Sequence, residues 1–549
     1  MRSRASSDAL SPNVEKGLPV ALEEQLGVGR VMPGERRWIE NPRNFLYLCL
    51  VLFLLHSACM LYRYGDLPSA PVIGDEVTIN DPAIALSRGQ GLIGPSFGGS
   101  VFGLDRLYAH FPPVYIWTEA IAFRAFGVSV YSLRLTTTVM GILACAVFLL
   151  IVWCLYRWKL ADPIAACFAA CLYPLNASVL ALHRIARMDS MVEFFALASL
   201  LFVLASIFGN SARNSAGNER KRLVLLVAGA ISAGLCLATH PEGLTAILPV
   251  LLLILLTSPV RRMLKAALFA LVVVIPCAVW MIAYGSRWKQ AILQMRAILR
   301  NVTPPPGIVH YAHDLLSKGQ LNVGLGMRAA LFLLCLLVLG LLLGRWAILQ
   351  KSQGTGAVPD DLDRTRLLLA NVFALATVLN LLLLTLFISA SITRYEVMYP
   401  IYLLGLVMVF QGVSLKKGGQ RIAVGSLTLL VVAQIVALSI YFGEEGEPPA
   451  RFNNIVAMIP PDLRIAVTPK MWLAFVQNDR PITLLYLGYD GHLNWSMANS
   501  NPLQGFDAIV IDETFVDERR VYSPYAQAGR TERDFRVGAD VVHLYLPSK

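Results

Sequence analysis

About eleven stretches of some 20 mostly apolar residues, each long enough to cross a hydrocarbon layer of ~30 Å as a helix, recur along this chain. They cover residues 44–62, 132–156, 162–181, 189–208, 222–238, 243–258, 264–284, 325–349, 366–390, 397–413 and 421–442. Such runs exclude a water-soluble core as the organising principle. Composition agrees: 56% of the 549 residues are hydrophobic and only 15% charged, where a soluble domain carries about a quarter. The expected fold class is an all-α polytopic membrane protein with interfacial helices on its outer face and a small C-terminal α/β soluble domain.

The net charge of +11 does not point to nucleic acid. The basic residues sit in short segments beside apolar runs, as the positive-inside rule requires of cytoplasmic loops. With the basic tail (Arg30, Arg36, Arg37, Arg43) inside, the Arg157/Lys159, Arg220/Lys221/Arg222, Arg261/Arg262/Lys265, Arg364/Arg366 and Lys416/Lys417/Arg421 loops also fall inside. That holds only if the apolar stretch 112–127, with Glu119 and Arg124 in its middle, lies flat at the outer interface instead of spanning. Residues 1–43 then form a cytoplasmic tail without the apolar core of a cleavable signal, and 44–442 the membrane domain. Outside lie a first long loop (63–131), a second (285–324), short connectors and a C-terminal segment, 443–549. This last segment turns polar and carries β-type runs at Leu463–Val467, Ile482–Leu487, Ala508–Ile511 and Val541–Leu546, with a helical run at Pro469–Gln477. All nine cysteines lie in apolar runs with no ligand spacing, so they read as small buried hydrophobes.

Ionisable residues gather at the outer ends of the spans. The first loop holds Gly74-Asp75-Glu76, where one carboxylate can act as general base and the other as its partner. Asp75 alone also fits a helix N-cap. The loop ends in Tyr108 and His110-Phe111-Pro112-Pro113, where a head-group anion could be held at a helix start. The connector His183-Arg184-Ile185-Ala186-Arg187-Met188-Asp189 runs into a span bearing Glu193. Its arginines could bind a phosphate; equally, Arg187 could pair with Asp189 or Glu193 as a helix lock. Two further outer connectors are polar, His240-Pro241-Glu242 and Arg394-Tyr395-Glu396. Asp361-Leu362-Asp363 falls in a cytoplasmic Gly/Pro loop and is set aside, as are three Asn-x-Ser/Thr triplets. No Walker-type loop or dinucleotide fingerprint appears.

Together, Gly74-Asp75-Glu76, the segment His110–Trp117 and Arg184-Ile185-Ala186-Arg187-Met188-Asp189 resemble the motifs of the C-type glycosyltransferases, in particular the protein O-mannosyltransferase and lipid A aminoarabinose transferase relatives. The likeness covers roughly residues 40–290. It implies inverting transfer of a sugar from a polyprenyl-phosphate donor to a lipid, glycan or protein acceptor at the outer face; compact loops and the lack of a eukaryotic retention signal make a bacterial inner membrane the expected location. By that resemblance Asp75 is the base and Glu76 helps position donor or acceptor. His110, Arg184, Arg187 and Arg394 meet the lipid phosphate. Phe111, between His110 and the prolines, departs from the family pattern. Some relatives use a divalent metal and others none; no ligand set is legible. A transporter or flippase is the alternative class, but transporters place ionisable groups near the midplane within repeats, and here they line one face.

Overall fold

The computed structural model describes residues 41–65, 74–98, 103–109, 111–209, 216–257, 262–301, 361–386, 392–410, 417–443, 452–485, 503, 505–512, 522–537 and 540–548. The chain is a mostly helical, multi-pass membrane protein with a small sheet near its C-terminus. Its helices are α1 (Pro42–Leu61), α2 (Gly74–Ser87), α3 (Pro113–Phe126), α4 (Val130–Arg157), α5 (Pro163–Leu172), α6 (Ala177–Arg184), α7 (Asp189–Phe208) and α8 (Ala216–Thr239). After them come α9 (Gly243–Ala246), α10 (Leu248–Thr257), α11 (Arg262–Ala283), α12 (Trp288–Asn301), α13 (Asp361–Leu386), α14 (Ile392–Phe410), α15 (Lys417–Gly443), α16 (Asn453–Met458) and α17 (Pro469–Gln477).

Local chemistry sets the helix starts. Asn41 caps α1 through Arg43 N at 3.0 Å with Pro42 in the first turn, and Ser129 and Ser132 close a capping box on α4. Asp162 accepts from Ile164 N and Asn176 from Val179 N, starting α5 and α6. Asn176 is thus a buried cap, which disposes of its glycosylation triplet. In α1 the stripe Phe45, Cys49, Leu52, His56 and Met60 is buried, while Leu46, Leu50, Leu54 and Leu55 remain exposed, as lipid contact requires.

Five described helices are long and apolar enough to span, or six if α5 and α6 count as one span bent by 44°. The expected run 162–181 is therefore a broken segment, interrupted at 173–176 around Pro174. The run 243–258 is likewise divided, into α9 and α10. The run 325–349 lies outside the described residues, while 366–390, 397–413 and 421–442 coincide with α13, α14 and α15. Asp361-Leu362-Asp363 opens α13 and does not lie in a loop; acidic residues at a helix start are favoured by the helix dipole. At the α8–α11 contact a Cβ on Gly234 would stand 2.6 Å from the Val273 carbonyl and 2.8 Å from Pro276 Cγ, so only glycine permits that approach. Helix α3 has 14 residues, ~21 Å at 1.5 Å per residue, short of a span. It buries Tyr115, Ile116, Glu119 and Phe123 and exposes Ile121 and Phe126.

The sheet has order β2-β1-β3-β5-β4, with β1 (Ile465–Val467) parallel to β2 (Ile482–Leu484) and β3 (Ala508–Asp512). Strand β5 (Asp540–Pro547) runs antiparallel to β3 and to β4 (Arg530–Val537). Sequence patterning anticipates four of these strands and α17. It misses β4, Arg-Thr-Glu-Arg-Asp-Phe-Arg-Val, whose charges suit an edge strand but hide its alternation.

Sheet and first loop share one core: Val77 and Ile84 of α2 and Ile116 and Phe123 of α3 pack in the same cluster as Trp472, Phe475, Val510 and Leu544. Trp472 Nε1 donates to Asp81 Oδ1 (3.3 Å) and Ser96 Oγ (3.2 Å), Ser96 donates twice to Asp81, and Arg88 reaches the Val476 carbonyl. Burial raises the Asp81 carboxyl to about 6, against the lowering effect of the Ser96 and Trp472 hydrogen bonds and of Arg88. A group raised in the folded state contributes stability that is complete below its unfolded value of ~4 and is lost as pH rises through its folded value. Trp472 fluorescence and limited proteolysis are therefore expected to show this contribution to sheet docking fullest at about pH 4 and lost progressively as pH rises through about 6 towards neutrality. Asp81→Asn should flatten that slope while losing the Ser96 N–H bond, about 1–2 kcal/mol.

Candidate active site

Asp75 lies in the first turn of α2, and its neighbour Glu76 is fully buried. Arg134 of α4, also fully buried, donates to Glu76 from Nε (3.2 Å) and Nη2 (3.4 Å), and from Nη1 to the Gly65 carbonyl at 2.7 Å. Ala186 N–H donates to Glu76 Oε1 at 2.8 Å, and Asn80 Nδ2 bridges the Glu76 and Ala186 carbonyls at 2.8 and 2.9 Å. One carboxylate thus joins α2, α4 and the 185–188 connector. The backbone of Asp75 is held by this knot; its side chain lies outside the described residues.

The connector is shorter than its sequence suggests, because α6 continues through His183 and Arg184. Arg184 is buried. Its Nη2 donates to the Tyr62 and Arg63 carbonyls at the end of α1, and its guanidinium lies 5.5 Å from the ring centroids of both Tyr441 and Phe442 on α15. Arg187 Nε pairs with Asp189 Oδ2 at 2.8 Å, the pair foreseen as a helix lock. Tyr108 is a buried core residue whose hydroxyl donates to the Thr78 carbonyl, tying the loop to α2. His240 Nδ1 accepts from Glu242 N–H at 3.2 Å, and its ring lies 5.7 Å from that of Phe111. The 240–242 connector therefore meets the end of the first loop. His110 and the side chains of Arg394 and Tyr395 lie outside the described residues, as do His310, Tyr311 and His313 of the second loop.

Three participants escaped the sequence reading. Arg134 sits near the start of the apolar run 132–156, where the sequence pattern does not single it out. Glu119, noted only as an obstacle to spanning, accepts from the Tyr115 hydroxyl at 2.8 Å. Burial, aided by the Glu76 charge, pushes Glu119 well above the carboxylate range despite the Tyr115 and Thr136 hydrogen bonds. Burial likewise raises Tyr115, with the charges of Glu119, Glu76 and Asp189 adding to it. Three carboxylates therefore surround one phenol, the kind of crowding that marks functional sites. The third participant is His56, inside the first span. Its Nδ1 lies 2.9 Å from the Pro174 carbonyl at the α5–α6 break, and its ring is 6.4 Å from that of His183. His183 Nε2 in turn lies 3.0 Å from Glu193, which also accepts from Tyr173. An ionisable residue inside a span is the signal that points to Arg134, His56 and Glu193; for Glu119 the signal is a carboxylate within an apolar interfacial helix.

Residues 50–288 match the profile of the family described as dolichyl-phosphate-mannose-protein mannosyltransferase. That stretch is similar to this family over somewhat less than half of the chain. The fold of the chain is similar to that of ArnT from Cupriavidus metallidurans, solved bound to undecaprenyl phosphate, with TM-score 0.52, 11% identity, and 91% of this chain and 97% of that chain covered. It is also similar to the Archaeoglobus fulgidus oligosaccharyltransferase in its apo form, with TM-score 0.53, 11% identity, and 89% and 73% covered. The same enzyme, AglB, in complex with an inhibitory peptide and a dolichol-phosphate gives TM-score 0.50 at 12% identity, covering 92% and 74%. No curated protein sequence matches the chain. At this outer corner, no His/Cys/Asp/Glu group with metal-binding spacing occurs among the described residues.

Removing one partner of a buried ion pair leaves an uncompensated charge and costs roughly 3–5 kcal/mol. Arg134→Leu is accordingly expected to destabilise the protein in detergent by about that much, and Arg134→Leu with Glu76→Leu by clearly less. Thermal unfolding of both single variants and the double variant measures the coupling. A Cβ on Gly141 would stand 2.7 Å from His183 Cβ and Cγ, so Gly141→Ala should cost roughly 1–3 kcal/mol by the same assay.

Proposed function

We propose that this protein transfers a sugar from a polyprenyl-phosphate-linked donor to an acceptor hydroxyl on the extracytoplasmic face, with inversion at the anomeric carbon. The observation that carries the reading is the knot at Glu76. It fixes the helical turn bearing Asp75 directly beside the connector bearing Arg187, so a base and a cation share one corner of the outer face. Asp75 removes the acceptor proton as the hydroxyl attacks. Glu76, committed to Arg134 and the Ala186 N–H, acts as a positioning residue. The departing group is a lipid phosphate, and charge stabilisation of that anion is what the site must supply. Arg187, oriented by Asp189, takes that part, and His110, Arg394 and Tyr395 are assigned to it by the resemblance alone. Arg184, spent on the ends of α1 and α15, holds the helix ends around the lipid's path. Tyr108 supports α2 from behind, and His240 with Glu242 lines the side next to Phe111.

The solved neighbours support this choice of donor, since one binds undecaprenyl phosphate and another a dolichol-phosphate. Residues 1–43 are assigned to a cytoplasmic tail, 44–442 to the membrane domain in a bacterial inner membrane, and 443–549 to an extracytoplasmic domain over it. The acceptor class is a lipid, a glycan or a protein, and a divalent metal is compatible with the chemistry.

Purified protein incubated with radiolabelled polyprenyl-phosphate sugars and envelope acceptors is expected to transfer label. Asp75→Asn should fold normally and lose at least roughly 100-fold in rate, the scale of a general base. Undiminished transfer by that variant would remove Asp75 from the chemistry.

A further inference from the structure

Strands β4 and β5 carry a cluster that the transfer chemistry does not use. Their antiparallel register sets Asp534 opposite His543 and Glu532 opposite Tyr545. With a side-chain period of two, all four residues project from one face of the sheet. His543 Nδ1 lies 2.7 Å from Asp534 Oδ1 and 3.2 Å from Glu532 Oε1, and the three candidate ligand atoms fall within 4.8 Å of one another. The imidazole is rooted in the sheet at 2% exposure, while the Glu532 and Asp534 side chains are 32% and 62% exposed. Tyr545 donates its hydroxyl to Glu532 Oε1 at 2.9 Å and Gln527 Nε2 lies 3.3 Å from Oε2, so this carboxylate is oriented from behind. Arg530, on the same face two residues before Glu532, turns its guanidinium to the Leu503 and Phe506 carbonyls and does not pair with the cluster's carboxylates in the described contacts.

We infer that Glu532, Asp534 and His543 form a binding site for a borderline divalent cation, of which Zn²⁺ is the best fit. Nδ1 carries a single proton and cannot serve two carboxylates equally, whereas one 2+ ion would neutralise both and take the imidazole lone pair. Ligands about 2.0–2.2 Å from a common ion are separated from one another by ~3–3.5 Å, close to the spacing already present. Small side-chain rotations therefore suffice to seat the ion. One nitrogen and two carboxylate oxygens suit Zn²⁺ and its neighbours better than Ca²⁺ or Mg²⁺, which take all-oxygen shells. The exposed carboxylates leave the remaining position to water. Tyr545 and Gln527 play the outer part that hydrogen-bonded partners of metal ligands commonly play. The ion would rivet edge strand β4 to β5.

The test uses tag-free full-length protein in detergent, freed of metal with a chelator and titrated with Zn²⁺ by calorimetry and with Co²⁺ by visible absorption. One equivalent is expected to bind, with a Co²⁺ band that Zn²⁺ abolishes. Affinity should fall at least roughly 10-fold in Asp534→Asn and roughly 100-fold in His543→Gln. Asp534 is exposed, so its variant keeps the test decisive even if His543→Gln fails to fold. Wild-type protein that binds no Zn²⁺, or binds it no better than Asp534→Asn does, overturns the site. The three groups then serve only as hydrogen-bond partners. Neither readout depends on sugar transfer.

Discussion

A single buried ion pair, Glu76 with Arg134, organises the corner of this protein where α2, α4 and the 185–188 connector meet. Its two charges belong to different elements, α2 from the first loop and α4 from the bundle, and neither side chain reaches water. Taking both out of water is costly, and only close geometry with further donors offsets the loss. The chain supplies those partners as backbone: the Ala186 N–H donates to one carboxylate oxygen, and the Gly65 carbonyl accepts a hydrogen bond from Arg134. The loop after the first span, the start of the second and the connector before α7 are thereby fixed relative to one another. Everything chemically interesting at this corner hangs from those three segments.

The same economy explains how the arginines are divided. Arg134 and Arg184 are buried and committed to protein groups. Arg187 keeps some contact with solvent beside Asp189, with 15% of its side chain exposed. An arginine that must meet a ligand has to retain such access, while those that shape the scaffold can be fully enclosed. Electrostatic preorganisation of this kind rests on fixed charges aimed before the substrate arrives.

Much of this was legible in the sequence because the bilayer imposes length and polarity rules on every helix. Five of the expected spans, the short α3, the helix Pro469–Gln477 and four of the strands follow from period and apolar length, whereas the runs 162–181 and 243–258 are broken in ways apolar length does not show. The motifs around Asp75 and Arg187 are likewise visible as charges at span ends. What could not be read is pairing at a distance. Nothing local to Arg134 names Glu76, 58 residues away, as its partner. Strand β4 hid because an edge strand is mostly solvated, and its alternation shows only against β5. The contact of His56 with the Pro174 carbonyl at the α5–α6 break, over 100 residues away, is likewise invisible locally.

The contact between Trp472 and Asp81 joins residues 391 positions apart in one core. During synthesis α2 is complete long before the helix and strands that cover it are made. The helix that carries Asp75 therefore stays half-packed until the segment around Trp472 exists. Assembly of this corner is timed by a part of the chain nearly four hundred residues further on, so a product that stops before Trp472 would carry α2 without the core that covers it.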